Sequence, residues 1–446
     1  MTGATGALGA HILNQLLDNP DVSTVYCLVR GVDALGRVSE SLKARGLNLP
    51  ATDSQQARKL KALTTDNVGA PHLGLSVEEY DKVANSTTLI IHAAWPVNFN
   101  ISLSSFRPQI AGVRNLLDLA STAAPGKARV VFISSISTAF NLPNTNNSGN
   151  SSSGGGGVTM VPESRIPSLE HAAKTGYARS KLVAERICEA AALPSTTTTT
   201  IASSTNGPGP DPGLGLSVAI LRVGQIAADS VNGIWNPQEH IPLLVRSAGE
   251  LSALPRLYGY EGRCEWMPVD TVAATVLQLA SRLHQRGHNN NSSSNSSSGG
   301  GTSFYNVVPP RSFSWNQTFL PALRAAAAEE LGGPTTTRSW MGEFEEVGIE
   351  EWLLRLRARA EILGDEAEVR LPAFKLAEYY EQTYSASIAG SLSEKKEKKG
   401  SDDNDRSGLR FENAKACADS LALKTCPELS NVDIVRKMLR HWFASS

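Results

Sequence analysis

The chain has 446 residues, 41% of them hydrophobic, with 42 lysines and arginines against 43 aspartates and glutamates. A formal net charge of −1 gives no electrostatic case for nucleic acid or an anionic membrane surface, and no apolar stretch is long enough to span a bilayer. Cys27, Cys188, Cys264, Cys417 and Cys426 show no paired metal spacing, which fits reduced thiols in a cytoplasmic protein and predicts no metal site.

The first element is a glycine-rich turn. Thr2-Gly3-Ala4-Thr5-Gly6-Ala7-Leu8-Gly9 has the Gly-x-x-Gly-x-x-Gly spacing of a loop that cradles a dinucleotide pyrophosphate. Glycine is needed where the backbone turns tightly and approaches the phosphates with no Cβ in the way. Residues 11–17 read as a helix whose amino terminus faces the anion. An ordinary turn is the other reading of this spacing taken alone. Such a loop follows a buried central strand, and here only Met1 precedes it. The chain as written is therefore expected to lack that strand and to be poorly soluble until upstream codons are restored.

Residues 24–30 form an apolar, β-branched run of strand length. It ends about twenty residues past the last glycine, where a dinucleotide fold reads the adenosine ribose. An acid there accepts from a free 2′-hydroxyl; this chain has Arg30 and no acid before Asp33. The charge and planar donor fork of arginine suit a 2′-phosphate, which predicts NADP(H). A solvated strand-end arginine is the alternative.

Further strands are expected at 61–65, 88–92, 129–134, 218–222 and 304–308, with helices between them such as 106–120 and 177–192. This alternation predicts a Rossmann-like α/β fold, a doubly wound parallel sheet covered on both faces. The dinucleotide-binding domain is expected to run from 1 to 308. Its polar tracts 144–157, 195–215 and 289–301 read as disordered inserts. Residues 309–446 read as a smaller helical substrate subdomain with a charged break at 394–405 and a short amphipathic helix at 432–443. Its Met and Trp residues read as core.

Tyr177 and Lys181 stand four apart on the expected helix and so share a face. The strand before that helix ends in Ser134-Ser135-Ile136-Ser137, a hydroxyl cluster at the carboxyl edge of the sheet, where ligands bind. A surface Tyr and Lys on an amphipathic helix is the competing reading.

Thr2 to Gly9, Ser135, Tyr177 and Lys181 together resemble the extended short-chain dehydrogenase/reductases. Three motifs narrow the resemblance to thioester reductase domains of the male-sterility, NAD-binding type: His92-Ala93-Ala94-Trp95-Pro96-Val97-Asn98-Phe99, Leu221-Arg222-Val223-Gly224-Gln225-Ile226 and Trp266-Met267-Pro268-Val269-Asp270. Such domains end some nonribosomal peptide synthetases, aminoadipate reductases and carboxylic acid reductases. The resemblance covers most of the chain, including 348–352 and 435–439, but not the polar tracts. It departs at the first strand and in showing no adenylation or carrier domain ahead of the reductase.

The resemblance implies that NADPH delivers hydride to an acyl thioester on the phosphopantetheine arm of a carrier domain. An aldehyde is released, or an alcohol after a second hydride. Tyr177 is implied as general acid and Ser135 as a second donor to the carbonyl oxygen. Lys181 is implied to favour the phenolate and to hold the nicotinamide ribose. Gly3, Thr5, Gly6, Ala7, Leu8 and Gly9 would cradle the phosphates, and Asp66 would contact the adenine. Ala93, Ala94 and Asn98 would line the cofactor channel, with Gly224 and Gln225 on the nicotinamide side; strand-end packing is the alternative for each. His92 is expected to be a satisfied, partly buried imidazole rather than a catalytic base. Two other functions stay open: a reductase of a free ketone or fatty acyl-CoA, and a non-catalytic cofactor-binding fragment. In fluorescence titrations, Arg30→Ala is expected to weaken NADPH more than NADH; equal losses would remove Arg30 from a phosphate pocket.

Overall fold

The computed structural model describes residues 1–51, 53–124, 126–143, 158–194, 213–258, 262–288, 301–331, 344–381, 384 and 408–444. Six largely apolar segments form a central parallel sheet: β1 (Val25–Arg30), β2 (Leu60–Thr65), β3 (Leu89–His92), β4 (Arg129–Ser135), β5 (Ser217–Val223) and β6 (Gly301–Val307). β1 pairs with β2, Val25 opposite Leu60. On the other side β3, β4, β5 and β6 follow one another as parallel neighbours.

Between β1 and β3 lies the start of the chain. Thr2 bridges Leu28 on one side and His92 on the other. Its N–H donates to Ile91 O at 3.0 Å, while Leu28 N–H donates to Met1 O at 3.0 Å. The terminal ammonium donates to Tyr26 O, and burial lowers its pKa. Where the sequence reading expects an absent central strand, Met1 and Thr2 supply its carboxyl-terminal end.

Helices α1 (Ala7–Asp18), α2 (Ala34–Lys43), α3 (Gln55–Lys59), α4 (Val77–Ala84), α5 (Arg107–Thr122) and α6 (Gly176–Ala192) alternate with the strands. Local chemistry sets where they start. Ser76 and Glu79 close a capping box on α4, and Pro108 sits in the first turn of α5. α1 and the helix Val269–His288 cover one face of the sheet, packing Ile12, Leu13 and Val276 on Val131, Ile133 and Leu221. α5 and α6 cover the other, packing Leu116, Leu117 and Cys188 on Val130, Phe132 and Ile220. This is the expected doubly wound arrangement.

A second apolar cluster lies off the sheet and gathers Trp235, Trp266, Trp315, Trp352, Tyr380 and Trp442. The tail tryptophans and Met438 are buried as expected; Trp340 and Met341 lie outside the described residues. The tail is helical at Leu320–Leu331, Ile349–Leu363 and Val432–Ala444. It also adds two short parallel strands, Glu345–Gly348 beside Ala253–Arg256 and Gly408–Phe411 beside Val158–Val161. Ala416, Leu423 and Cys426 then return to the sheet's first face.

The tracts 144–157 and 289–300, most of 195–215 and the charged break 394–405 lie outside the described residues. Gly301, assigned to the third tract from sequence, instead opens β6 opposite Ser217. Among the described residues no helix is long and apolar enough to cross a membrane, and no group of three or more His, Cys, Asp or Glu side chains could hold a metal ion.

Trp315 is 0% exposed. Its ring stacks on Phe319 with centroids 5.0 Å apart, and its indole N–H donates to Pro255 O at 2.8 Å. Trp315→Ala is expected to destabilise the fold by about 3–5 kcal/mol, measured by urea denaturation; a negligible change would mean this cluster contributes little to stability.

Candidate active site

The helix α6 begins where Thr175 Oγ1 accepts the N–H of Ala178 at 3.2 Å. Its first residue is pressed against the preceding chain: a Cβ on Gly176 would come within 2.2 Å of Ile101 O. Tyr177, Lys181, Glu185 and Cys188 recur on one face of α6 and are all buried. That face packs on β4, whose last residue is Ser135.

Tyr177 is 9% exposed, and its phenol lies near enough to the Ser135 side chain to feel it. Burial pushes the phenol above its ordinary pKa, and Ser135 offsets part of that rise. Ser135 Oγ also accepts the N–H of Ser137 at 3.2 Å and Ser137 Oγ at 3.0 Å. With both lone pairs engaged, the Ser135 hydroxyl is left free to donate.

Lys181 is 2% exposed. Its ammonium donates to Ile133 O at 2.6 Å and lies 4.3 Å and 4.9 Å from the ring centroids of Trp95 and Phe132. Desolvation pulls its pKa down to about 7, against the opposing pull of Glu185 and Cys188. Among the described residues no hydrogen bond joins Lys181 to Tyr177.

The glycine turn packs against the segment that follows β3. Gly3 has φ of +82°, and a Cβ there would lie 2.8 Å from Ala93 C and Ala94 N. A Cβ on Gly9 would lie 1.9 Å from Gly3 O. The turn closes through Gly6 N–H to Gly3 O at 2.9 Å. Gly6 caps α1 without a side chain, and the first turn carries no acid. Gly6 and Ala7 are exposed, and Thr5 and Leu8 are half-buried. An uncapped helix amino terminus behind a glycine cradle fits a dinucleotide pyrophosphate.

Arg30 is exposed at the end of β1, opposite Thr65 on β2, and Asp66 follows directly, also exposed. At the same corner a Cβ on Gly31 would lie 3.4 Å from Arg37 Nη1, so Arg37 is a second cation that the sequence reading did not single out. Asn98 is exposed, and its Oδ1 accepts Asn100 N–H at 2.9 Å. Gly224 N–H donates to Val307 O at 2.9 Å. The Gln225 amide donates to Ile226 O at 2.7 Å, so here it serves the local backbone.

His92 is buried as expected, but only half satisfied. Thr2 Oγ1 accepts Ala94 N–H at 3.2 Å and shares a hydrogen bond with His92 Nδ1 at 2.7 Å. Nε2 is buried and has no hydrogen-bond partner among the described residues. Desolvation, with Lys181 and the terminal ammonium adding to it, holds this histidine down to about 3. It is neutral at physiological pH.

Sequence reasoning missed the rings around Tyr177. Phe99 meets Tyr177 edge to face with centroids 5.2 Å apart and stacks on Tyr379 at 6.4 Å. Tyr379 meets His240 at 5.6 Å, and burial holds His240 down to about 4. The signal for Phe99 was its place beside the expected cofactor channel; Tyr379 carried none.

Residues 1–205 match the family model described as male sterility protein. The non-reducing polyketide synthase SAT8 of Stachybotrys chartarum is 32% identical over 400 residues, covering 88% of this chain and 13% of that protein. The adenylate-forming reductase Nps10 of Heterobasidion annosum is 31% identical over 398 residues, covering 86% of this chain and 29% of that protein. This chain thus spans less than a third of the length of these relatives. Among solved structures, the terminal R domain from the myxalamid PKS-NRPS biosynthetic pathway superposes with a TM-score of 0.66 at 20% identity, covering 100% of this chain and 90% of that one. The reductase domain of a nonribosomal peptide synthetase from Mycobacterium tuberculosis gives 0.57 at 19% identity, covering 99% and 90%. At these identities the likeness shows the fold. Over residues 1–205 the chain thus carries a domain of the male sterility, NAD-binding family, and its fold is the one these terminal reductase domains share.

Proposed function

We propose that this chain is an NADPH-dependent reductase of an acyl thioester carried on a phosphopantetheine arm, and that it releases an aldehyde. One observation carries the reading: a buried phenol and a buried lysine one helical turn apart on α6, packed on the strand that ends in a serine whose lone pairs are already engaged. The relatives support the substrate class, since SAT8 is a polyketide synthase and Nps10 an adenylate-forming reductase. Arg30 at the end of β1 and Arg37 on α2 support a 2′-phosphate, and hence NADPH over NADH.

When bound, NADPH supplies the hydride. The chain's own groups manage the charge that builds on the acyl oxygen. Tyr177 donates its phenolic proton to that oxygen, and burial keeps the phenol protonated until it is needed. Ser135 gives a second hydrogen bond to the same oxygen. Lys181 adds positive charge one turn away, which favours the phenolate left behind. Gly3, Thr5, Gly6, Ala7, Leu8 and Gly9 would hold the pyrophosphate, with Ala93, Ala94 and Asn98 lining the cofactor channel and Gly224 and Gln225 toward the nicotinamide. The exposed ring of Phe99 offers an apolar surface for the acyl group beside Tyr177.

Tyr177→Phe is expected to lower kcat by at least about 100-fold while leaving NADPH binding nearly intact, because the proton donor alone is lost. The assay compares acyl-carrier thioester, acyl-CoA and free ketone by kcat/KM, with product trapped as aldehyde or alcohol. Wild-type turnover by the Phe variant, or a clear preference for the ketone, would contradict the proposal.

A further inference from the structure

The catalytic helix carries another inward-facing ionisable residue that the chemistry above does not use. Glu185 lies one turn beyond Lys181 on α6 and is 0% exposed. Its carboxylate is saturated. Oε1 accepts Ser134 Oγ at 2.6 Å and Arg222 Nε at 3.1 Å; Oε2 accepts Arg222 Nη2 at 2.8 Å. Arg222, on β5, is equally buried. Its Nη1 donates to Ser164 O at 2.8 Å, and its guanidinium lies 5.0 Å from the ring centroid of Phe304 on β6.

Two features make this more than a buried ion pair. The first is register. Ile133 and Ser134 are consecutive on β4; Lys181 donates to the carbonyl of one, and Glu185 accepts from the hydroxyl of the other. These two polar rungs set the height and rotation of α6 on the sheet, and Tyr177 sits one turn before them. The second is charge. Around Lys181, α6 offers Tyr177, Glu185 and Cys188, β3 offers neutral His92, β4 offers the hydroxyls of Ser134 and Ser135, and β5 offers Arg222. α5 buries apolar side chains and Gly112, the turn Leu103–Phe106 contributes Phe106, and β6 contributes Phe304. Among these groups Glu185 is the one anion, standing between two buried cations.

We propose that Glu185, clamped by Arg222 and Ser134, is the positioning residue for Lys181 and supplies its counter-charge. This rests on the reading of Tyr177 and Lys181 as the catalytic pair. Removing the carboxylate while keeping its shape leaves two cations unbalanced in a dry site, so Lys181 gives up its proton at lower pH. Keeping the charge but shortening the side chain leaves the proton in place and spoils the register.

The test is NADPH affinity by fluorescence titration across pH, with kcat and melting temperature, for wild type, Glu185→Gln and Glu185→Asp. Wild-type affinity is expected to fall as pH rises through the Lys181 titration. Glu185→Gln should move that midpoint down by about 1 unit or more. Glu185→Asp should leave the midpoint in place but lower kcat by about 10-fold to 100-fold. A purely structural Glu185 would lower both melting temperatures and move neither kinetic readout. The inference is overturned by a folded Gln variant with the wild-type midpoint, or by an Asp variant with wild-type kcat. If the Gln variant does not fold, the Asp result decides. A wild type that binds no NADPH, or binds it with no dependence on pH, overturns the proposed function as well.

Discussion

Burying Lys181 strips an ammonium of its water, and this end of the sheet is built around that cost. Three groups replace the lost hydration: the carbonyl of Ile133 and the faces of Trp95 and Phe132. They come from β4 and from the segment after β3, so the lysine fastens helix to sheet where both strands end. A charge balanced this closely responds to its neighbours, and the pKa of about 7 reflects that. The helix face that holds Lys181 also holds Tyr177, and the strand that receives it ends in Ser135. Docking of the lysine therefore brings the phenol and the serine together.

The glycine turn is tied into the same construction through backbone contacts. Gly3 lies so close to Ala93 and Ala94 that no Cβ fits between them. Thr2 satisfies Ala94 N–H and His92 Nδ1 with one hydroxyl. From that segment Trp95 reaches back to Lys181 and, through its indole N–H, to Ser180 Oγ at 3.2 Å. The turn that suits a pyrophosphate and the helix that carries the phenol are thus joined by three residues of backbone. Phe99, a few residues further on, extends the connection to Tyr379 in the carboxyl-terminal half.

Much of this was legible before any coordinates. The six sheet strands were visible because each is an apolar run bounded by turns, and the structure moves their ends by no more than a few residues. Gly301 was misassigned because a glycine at the edge of a polar tract has no apolar signal, although its backbone pairs opposite Ser217. The strand Val158–Val161 was invisible for another reason: its partner, Gly408–Phe411, lies far along the chain, and long-range pairing leaves no local periodicity. Tyr177, Lys181 and Ser135 stood out by spacing and position. Glu185 had the same four-residue spacing and Arg222 was a charge inside an apolar strand. Neither was singled out from sequence, because the pairing needs the packing of α6 on β5. The half-satisfied state of His92 likewise depends on Thr2, ninety residues earlier, and no spacing rule brings those two together.

The central claim is that a nicotinamide dinucleotide lying over the glycine turn gives hydride to an acyl carbon beside Tyr177. The most direct measurement is a single turnover of an acyl thioester on its carrier with NADPH dideuterated at the nicotinamide C4, followed by mass spectrometry of the product. The account predicts an aldehyde with one deuterium on its carbonyl carbon. An aldehyde released without deuterium, or cofactor oxidised with no reduced acyl product, would contradict it.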